Sequence, residues 1–260
     1  MMNIGVNLYS LRTLIKTEED FLATSLALKK MGYNCLQYSG APFDAEMIKR
    51  VVNKSGIPVV LTHVPLDRII SDTDNLIREH IYAGIKYIGL GALPFDKCTD
   101  PEYIKATVAA LEVAAEKIER EGLRFFYHNH HTDCYRNGGV TNLDYMIENA
   151  PHIHFTLDTY WLQYGGLSVT DYIDRLGGRI ECVHLKDYKI IATQSEDGKY
   201  TYKPTFAPVG EGNLDFAGYM PHMRAAGVEY YLVEQDNAVS FDDPLDEVRR
   251  SIENIKLSLT

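Results

Sequence analysis

A chain of 260 residues, 45% hydrophobic and 24% charged, can bury a sizeable core, and about 250 residues is the usual span of one α/β barrel. Its net charge of −10 argues against nucleic acid, which needs a basic face, but not against a small anion met by one lysine. There is no apolar run near the ~18 residues of a membrane helix, no basic stretch leading into a long apolar core, and no paired spacing among Cys35, Cys98, Cys134 and Cys182. A cytoplasmic protein with free thiols is expected.

Ile4–Tyr9 reads as a strand. Thr17 and Asp20 form a capping-box pattern for a helix to about Met31, where Gly32 closes it. Cys35–Tyr38 is the second strand, and Asp44 caps a helix to about Asn53. Pro58–His63 is the third strand, followed by a helix from Asp72 or Thr73 to Gly84. Tyr87–Leu90 is the fourth. Pro101 after Asp100 opens a long helix to Glu121, and Arg124–His128 is the fifth strand. Asn142–Asn149 is helical, and Ile153–Leu157 is the sixth strand. A helix over Val169–Leu176 leads to the seventh, Ile180–Leu185. Tyr188–Gly212 reads as a long polar loop. Phe216–Ala226 is helical, Tyr230–Val233 is the eighth strand, and Pro244–Leu259 is the last helix. Eight strand–helix units in strict alternation predict a parallel sheet. Their number and length predict one (β/α)8 TIM barrel over residues 1–260. The open doubly wound alternative needs a glycine-rich phosphate turn after an early strand, and Asn7-Leu8-Tyr9-Ser10-Leu11 has none.

In such a barrel the active site lies at the C-terminal strand ends, and residues two apart share a face. Arg124, Phe126 and His128 share one; so do His154, Thr156 and Asp158, then Ile180, Cys182 and His184, then Tyr230, Leu232 and Glu234. Four consecutive strands therefore aim His128, Asp158, His184 and Glu234 at one point. Each alone has a structural use: a core histidine, a helix cap for Asp158, a lysine partner for Glu234. Four strand ends in succession exceed what structure requires. Two imidazoles and two carboxylates suit manganese, zinc, cobalt or iron, whereas magnesium and calcium prefer all-oxygen shells. Without thiolates the set reads as a catalytic centre. His63 and Gln37 end neighbouring strands and reach the same mouth. Lys186 continues the His184 face and can hold an anionic oxygen, or else pair with Asp187. Trp161 and Tyr160 offer aromatic walls for a sugar, His130 and His131 offer polar contacts, and Glu211 sits in a turn, Val209-Gly210-Glu211-Gly212-Asn213, that can fold over the site.

Tyr127-His128-Asn129-His130, Asp158-Thr159-Tyr160-Trp161, Val183-His184-Leu185-Lys186-Asp187 and Val209-Gly210-Glu211-Gly212-Asn213 together resemble the xylose-isomerase-like barrels of sugar and sugar-phosphate isomerases and epimerases. The resemblance spans the whole chain. It implies a divalent metal, often manganese, held by Glu, Asp, His and Glu at the ends of strands five to eight. Asp158, His184 and Glu234 match the last three positions, but the first holds His128. The epimerases of the family use two metal-bound glutamates as acid and base, so this departure turns the resemblance toward the inosose dehydratase side. Trp161 also departs, standing where the epimerases usually have histidine.

The expected activity is metal-dependent isomerisation or epimerisation of a sugar or sugar phosphate, through an enediolate formed by α-proton abstraction. Glu234 is the expected base, with His130, His63 or Lys186 returning a proton. Trp161, Lys186, His63, Gln37 and Glu211 are the expected substrate contacts. The alternatives are dehydration of a keto-polyol such as an inosose and, in another class, a sugar-binding barrel without chemistry. A repair nuclease of the same barrel type needs a basic surface, which this composition lacks. The expected partners are a small sugar or polyol and, at most, a second copy in a homodimer, with neither nucleic acid nor membrane.

Overall fold

A computed structural model describes residues 2–259. Eight parallel strands close into a barrel: β1 (Asn3–Asn7), β2 (Cys35–Tyr38), β3 (Val59–His63), β4 (Tyr87–Leu90), β5 (Arg124–His128), β6 (Ile153–Asp158), β7 (Cys182–Leu185) and β8 (Tyr230–Val233). Each pairs with its sequence neighbours, and β8 closes on β1 through Ile4 opposite Tyr231 and Val6 opposite Val233. Helices follow the strands, so the chain is a single (β/α)8 barrel.

The strands' two faces have different jobs. Cys35, Leu61, Tyr87, Phe126, Cys182 and Leu232 fill the barrel interior as one buried cluster. Val6, Leu36, Phe125, Phe155, Val183 and Val233 point outward into the larger core beneath the helices. Phe126, Cys182 and Leu232 thus lie on the inward faces read from the sequence, which sends the next polar residue along each strand into the mouth. The interior is tight at Gly5, where a Cβ would come 2.7 Å from both Cys35 Sγ and Leu232 Cδ2.

The helix ends follow local chemistry. Thr17 and Asp20 complete a reciprocal capping box, and Gly32 closes that helix at φ 103°, a left-handed conformation that glycine adopts without steric cost. Asp44 and Asp100 cap the helices that begin at Ala45 and Pro101. Among the described residues, no helix is long and apolar enough to cross a membrane.

Several expectations need correction. The first strand stops at Asn7, because the Asn7 side chain accepts from Tyr9 N and starts a 3₁₀ turn over Leu8–Leu14. Strand β7 begins at Cys182, two residues later than read. Helix Leu66–Ser71 adds to the elements read from the sequence, and the segment that Asp158 caps is the helix Thr159–Tyr164. The largest correction is the supposed loop after Lys186. Asp187–Gln194 and Tyr200–Ala207 form an antiparallel hairpin of eight residue pairs. Ile190, Ile191, Thr193, Tyr200, Thr201 and Tyr202 are strand-forming residues, which the polar turn around Ser195–Lys199 obscured.

Candidate metal centre and cavity

His128 is the last residue of β5, Asp158 the last of β6, and Glu234 follows the last residue of β8. His184 lies opposite Asp158 in one register and opposite Leu232 in the next. The four side chains are buried, and one donor atom from each lies within 4.8 Å of all the others. Asp158 does two things. Its Oδ1 accepts from Trp161 N at 2.8 Å and caps the following helix, while Oδ2 faces His128 Nε2 at 3.2 Å.

Hydrogen bonding outside the cluster assigns the imidazole nitrogens. His128 Nδ1 donates to the Gly91 carbonyl at 3.0 Å, and His184 Nε2 donates to Gln37 Oε1 at 2.6 Å. A neutral imidazole has one N–H. With that proton spent outside, His128 Nε2 and His184 Nδ1 turn lone pairs toward each other across 3.0 Å. Glu234 Oε2 lies 2.6 Å from His184 Nδ1, yet this buried oxygen has no aligned hydrogen-bond partner. Two lone pairs and two carboxylates converging on one point, with an orphaned oxygen among them, form a donor set that fits a cation. A proton on His184 Nδ1 and a cation compete for the same place, and the carboxylates beside it favour positive charge there. Burial pulls that imidazole down, but the carboxylates of Glu234 and Asp158 outweigh it and hold its pKa up at about 9.

Lys186 is the nearest fixed charge. It is 1% exposed, with Nζ 3.8 Å from Glu234 Oε2 and 4.0 Å from Asp158 Oδ2. Its ion pair is with Asp236, at 2.8 and 2.9 Å, and Asp187 is not the partner. The Asp187 carboxylate instead accepts from the backbone N–H groups of Tyr188, Gly210, Gly212 and Leu214, tying the hairpin's two ends together. Burial opposes charge on Lys186, but Glu234, Asp158 and Asp236 keep it protonated, with its pKa raised. Burial and the Glu234 carboxylate lift Asp236 to about 6 despite its lysine partner. Trp161 and Phe206 present their rings to Lys186 Nζ at 4.7 and 5.0 Å, a stabilising position for a desolvated cation.

A cavity of about 400 Å³ opens above this cluster. Of the expected contacts, His63, His130, Trp161 and Lys186 line it with His128 and Glu234. His63 and His130 are both held neutral, their pKa values pushed well below the usual range by burial and by His128. Gln37 is buried behind the cavity wall. Its Nε2 donates to His63 Nε2 at 2.8 Å while its Oε1 serves His184, so it joins two imidazoles rather than lining the pocket. Glu211 is also absent from the lining, because its carboxylate pairs with Arg250 at 3.2 Å and the turn around it is tied to Asp187.

The sequence reading missed Asp236, although the alternation that carried His184 to Lys186 also carries Glu234 to Asp236. It missed Asn129 as well, whose Oδ1 holds Asp158 N at 2.8 Å. Asp133 fixes the next loop, accepting from His130 N at 2.7 Å and from Tyr127 Oη at 2.8 Å. Besides Glu234 Oε2, the buried polar atoms of lining residues without a partner are Asn7 Nδ2, His130 Nδ1, His131 Nδ1 and Trp161 Nε1. These nitrogens are available to a hydroxylated ligand.

Residues 26–257 match the family described as xylose isomerase-like TIM barrel. The chain belongs to that family. No curated protein matches it. A sugar phosphate isomerase/epimerase from Parabacteroides distasonis is 22% identical, with a TM-score of 0.77 and 98% of each chain covered. A structure of L-ribulose 3-epimerase superposes with a TM-score of 0.72 at 17% identity, covering all of this chain and 95% of that one. The probable 3-DHS dehydratase AsbF from Bacillus anthracis gives 0.70 at 12% identity, with both chains fully covered. At these identities the neighbours show a common fold. The family and these neighbours are enzymes.

Proposed function

We propose that the chain is a divalent-metal-dependent isomerase or epimerase acting on a sugar or sugar phosphate with a carbonyl beside a hydroxyl. The observation that carries this reading is the convergence of His128, Asp158, His184 and Glu234 on one point beside a protonated, buried Lys186 at the floor of a cavity. The donor set fits a divalent ion of borderline hardness, zinc, cobalt, iron or manganese, at an N2O2 site, and the resemblance to the family favours manganese among them. A bound divalent ion would acidify the substrate's α-carbon by stabilising the enediolate.

The protein's own groups divide the remaining work. Glu234 takes the α-proton as the carboxylate, the state that Lys186 and His184 enforce against burial. A carboxylate so stabilised is a weak base, which explains why the site needs an electrophile as well. Lys186 donates a hydrogen bond to the substrate oxygen on its side. Gln37 occupies His63 Nε2, so the His63 proton sits on Nδ1, and His63 or His130, neutral in the resting site, would help pass the proton taken by Glu234 back to the neighbouring carbon or oxygen. Trp161 and its neighbouring rings exclude water.

Dehydration of a keto-polyol is the second reading, favoured by His128. Its Nδ1 is tied to Gly91 and its Nε2 belongs to the cluster, so it has no free carboxylate for the substrate's second face. One-sided chemistry then suits elimination or 1,2-isomerisation better than epimerisation. The test is the manganese-loaded protein with a panel of ketoses, their phosphates and keto-inositols in deuterated water. Deuterium at the α-carbon is expected, and the product separates isomer from dehydrated ketone. Metal bound in full with no exchange on any panel member would leave a sugar-binding barrel without chemistry.

A further inference from the structure

Among the described residues, Lys186 is the one lysine or arginine that lines the cavity, and its charge is already met. It gives hydrogen bonds to both carboxylate oxygens of Asp236, at 2.9 and 2.8 Å. Asp236 also lines the cavity, and its side chain keeps 26% exposure where that of Lys186 keeps 1%. An entering ligand thus meets more of the carboxylate than of the ammonium. Arg12 reaches Asp236 too, but at its backbone carbonyl, 3.1 Å away, and Arg12 is not part of the lining. With a divalent ion in place, the ion and Lys186 bring three positive charges, and Asp158, Glu234 and Asp236 bring three negative ones. The balance is zero before any ligand arrives.

The usual backbone alternative is also taken. In (β/α)8 barrels a phosphate is often held by the loops after the seventh and eighth strands. Here the N–H groups of Tyr188, Gly210, Gly212 and Leu214, after β7, all donate to the Asp187 carboxylate. After β8, Gln235 N donates to Ser10 Oγ at 2.9 Å, and the next side chain is that of Asp236. The chain fills with its own carboxylate a nest of N–H groups that could otherwise hold an anion.

The neighbouring strand offers a neutral donor instead. Asn7 ends β1, which pairs with β8, and it is 1% exposed. Its Oδ1 accepts from Tyr9 N at 3.1 Å and from Ser39 Oγ, which fixes Nδ2 as the N–H side of the amide. That nitrogen has no partner, and Asn7 lines the cavity. Hydroxyl groups can accept from Asn7 and give a proton to Asp236. A phosphate dianion can only accept, so Asp236 opposes it with a like charge, the repulsive element that specificity against a competitor uses. We propose that Asp236 is a specificity-determining residue that restricts the cavity to uncharged polyhydroxylated ligands and excludes phosphate esters. On the isomerase or epimerase reading, on which the nature of the ligand rests, the substrate is then the free sugar or polyol.

Titration calorimetry on the full, manganese-loaded chain at about pH 8, where phosphate esters are dianions, tests this. Each ketose of the panel is compared with its phosphate ester, and inorganic phosphate is titrated alone. The wild type should bind each free ketose ~10-fold or more tightly than its ester, the scale of one contact to a charged group. Asp236→Asn keeps the shape and removes the charge. It should move the ester-to-ketose affinity ratio about 10-fold or more toward the ester and strengthen inorganic phosphate binding by a similar factor. If that variant does not fold, Asp236→Ser removes the same charge. A wild type that prefers the esters would overturn the proposal and assign their phosphate to Arg12. A ratio and a phosphate affinity unchanged by the substitution would overturn it equally. If neither ketose nor ester binds, the isomerase reading fails, and inorganic phosphate still decides the role of Asp236: stronger binding in the variant upholds it, and no gain refutes it.

Discussion

Strands β5, β6 and β7 carry ionisable groups at both ends, and the two ends are finished differently. At the N-terminal end, Glu181, just before β7, is gripped by Arg124 of β5 through Oε1 and by His154 of β6 through Oε2, the latter at 2.8 Å. Both oxygens are used, and Arg124 reaches solvent. At the C-terminal end the same three strands deliver His128, Asp158 and His184. There the groups are buried, the inner imidazole nitrogens face each other, and the adjoining Glu234 oxygen is unpaired. Similar residue types thus form a closed cluster at one end and an unsatisfied one at the other. The lesson concerns satisfaction more than composition: a buried polar group left without a partner is costly, and a cation bound as proposed would remove that cost at the Glu234 oxygen.

Removing ligands should separate the ends most sharply. Asp158→Ala and Glu234→Ala should each lower affinity for manganese by about 100-fold or more, since each removes one of the four donors proposed, with elemental analysis of the dialysed protein as the readout. Glu181→Ala should keep its ion in full and lose about 1–2 kcal/mol of stability in urea, the cost of a broken, nearly buried pair. Full metal retention in both Asp158→Ala and Glu234→Ala would erase the contrast.

Gln37 gives a finer test, because it acts on the centre without belonging to it. Its Oε1 accepts a hydrogen bond from His184 Nε2–H, which leaves Nδ1 as the nitrogen that faces the cluster. Gln37→Leu should weaken manganese binding about 10- to 100-fold, as for other groups that orient a metal-binding imidazole. Gln37→Glu keeps the acceptor and should restore most of it. Equal loss in both would mean that Gln37 serves packing alone. Lys186→Ala should come next in size. The ion should stay, and substrate binding should fall about 10-fold, the loss of one charge-assisted hydrogen bond. Unchanged KM and kcat would return Lys186 to a structural pairing with Asp236.

The contrast between the ends also marks what could be read from sequence. Strand alternation placed His128, Asp158, His184 and Glu234 at one mouth, because a period of two leaves each strand's last inward residue little freedom. The regular spacing of strand–helix units revealed the barrel for a similar reason. Partnerships across the barrel were not legible. Gln37 meets His184 over a separation of 147 residues, and Lys186 passes over the adjacent Asp187 to reach Asp236. Those choices depend on which carboxylate the folded backbone has already occupied: four N–H groups claim Asp187 before Lys186 can. The hairpin was hidden by its turn, and the early end of β1 by one Asn7 side chain that competes with the strand for the backbone.

The smallest effect expected is an acid limb of stability from the closed end. Burial works against ionised Glu181, but the hydrogen bond and charge of His154, with Arg124 beyond, outweigh it and leave the carboxyl below its ordinary value. A group with a lower pKa in the folded state binds fewer protons there than in the unfolded chain. Stability therefore rises with pH across the interval between the two values. The contribution is complete above about 4.5, the ordinary glutamate range, and disappears as pH falls through the folded-state value. Arg124 is partly solvated, which screens its share and keeps the total to about 1 kcal/mol or less. Urea midpoints for the wild type and Glu181→Gln should therefore converge as pH falls below about 4.5, with the wild type ahead at neutral pH. Parallel curves across that range would show that the closed end, for all its pairing, contributes no pH-dependent stability.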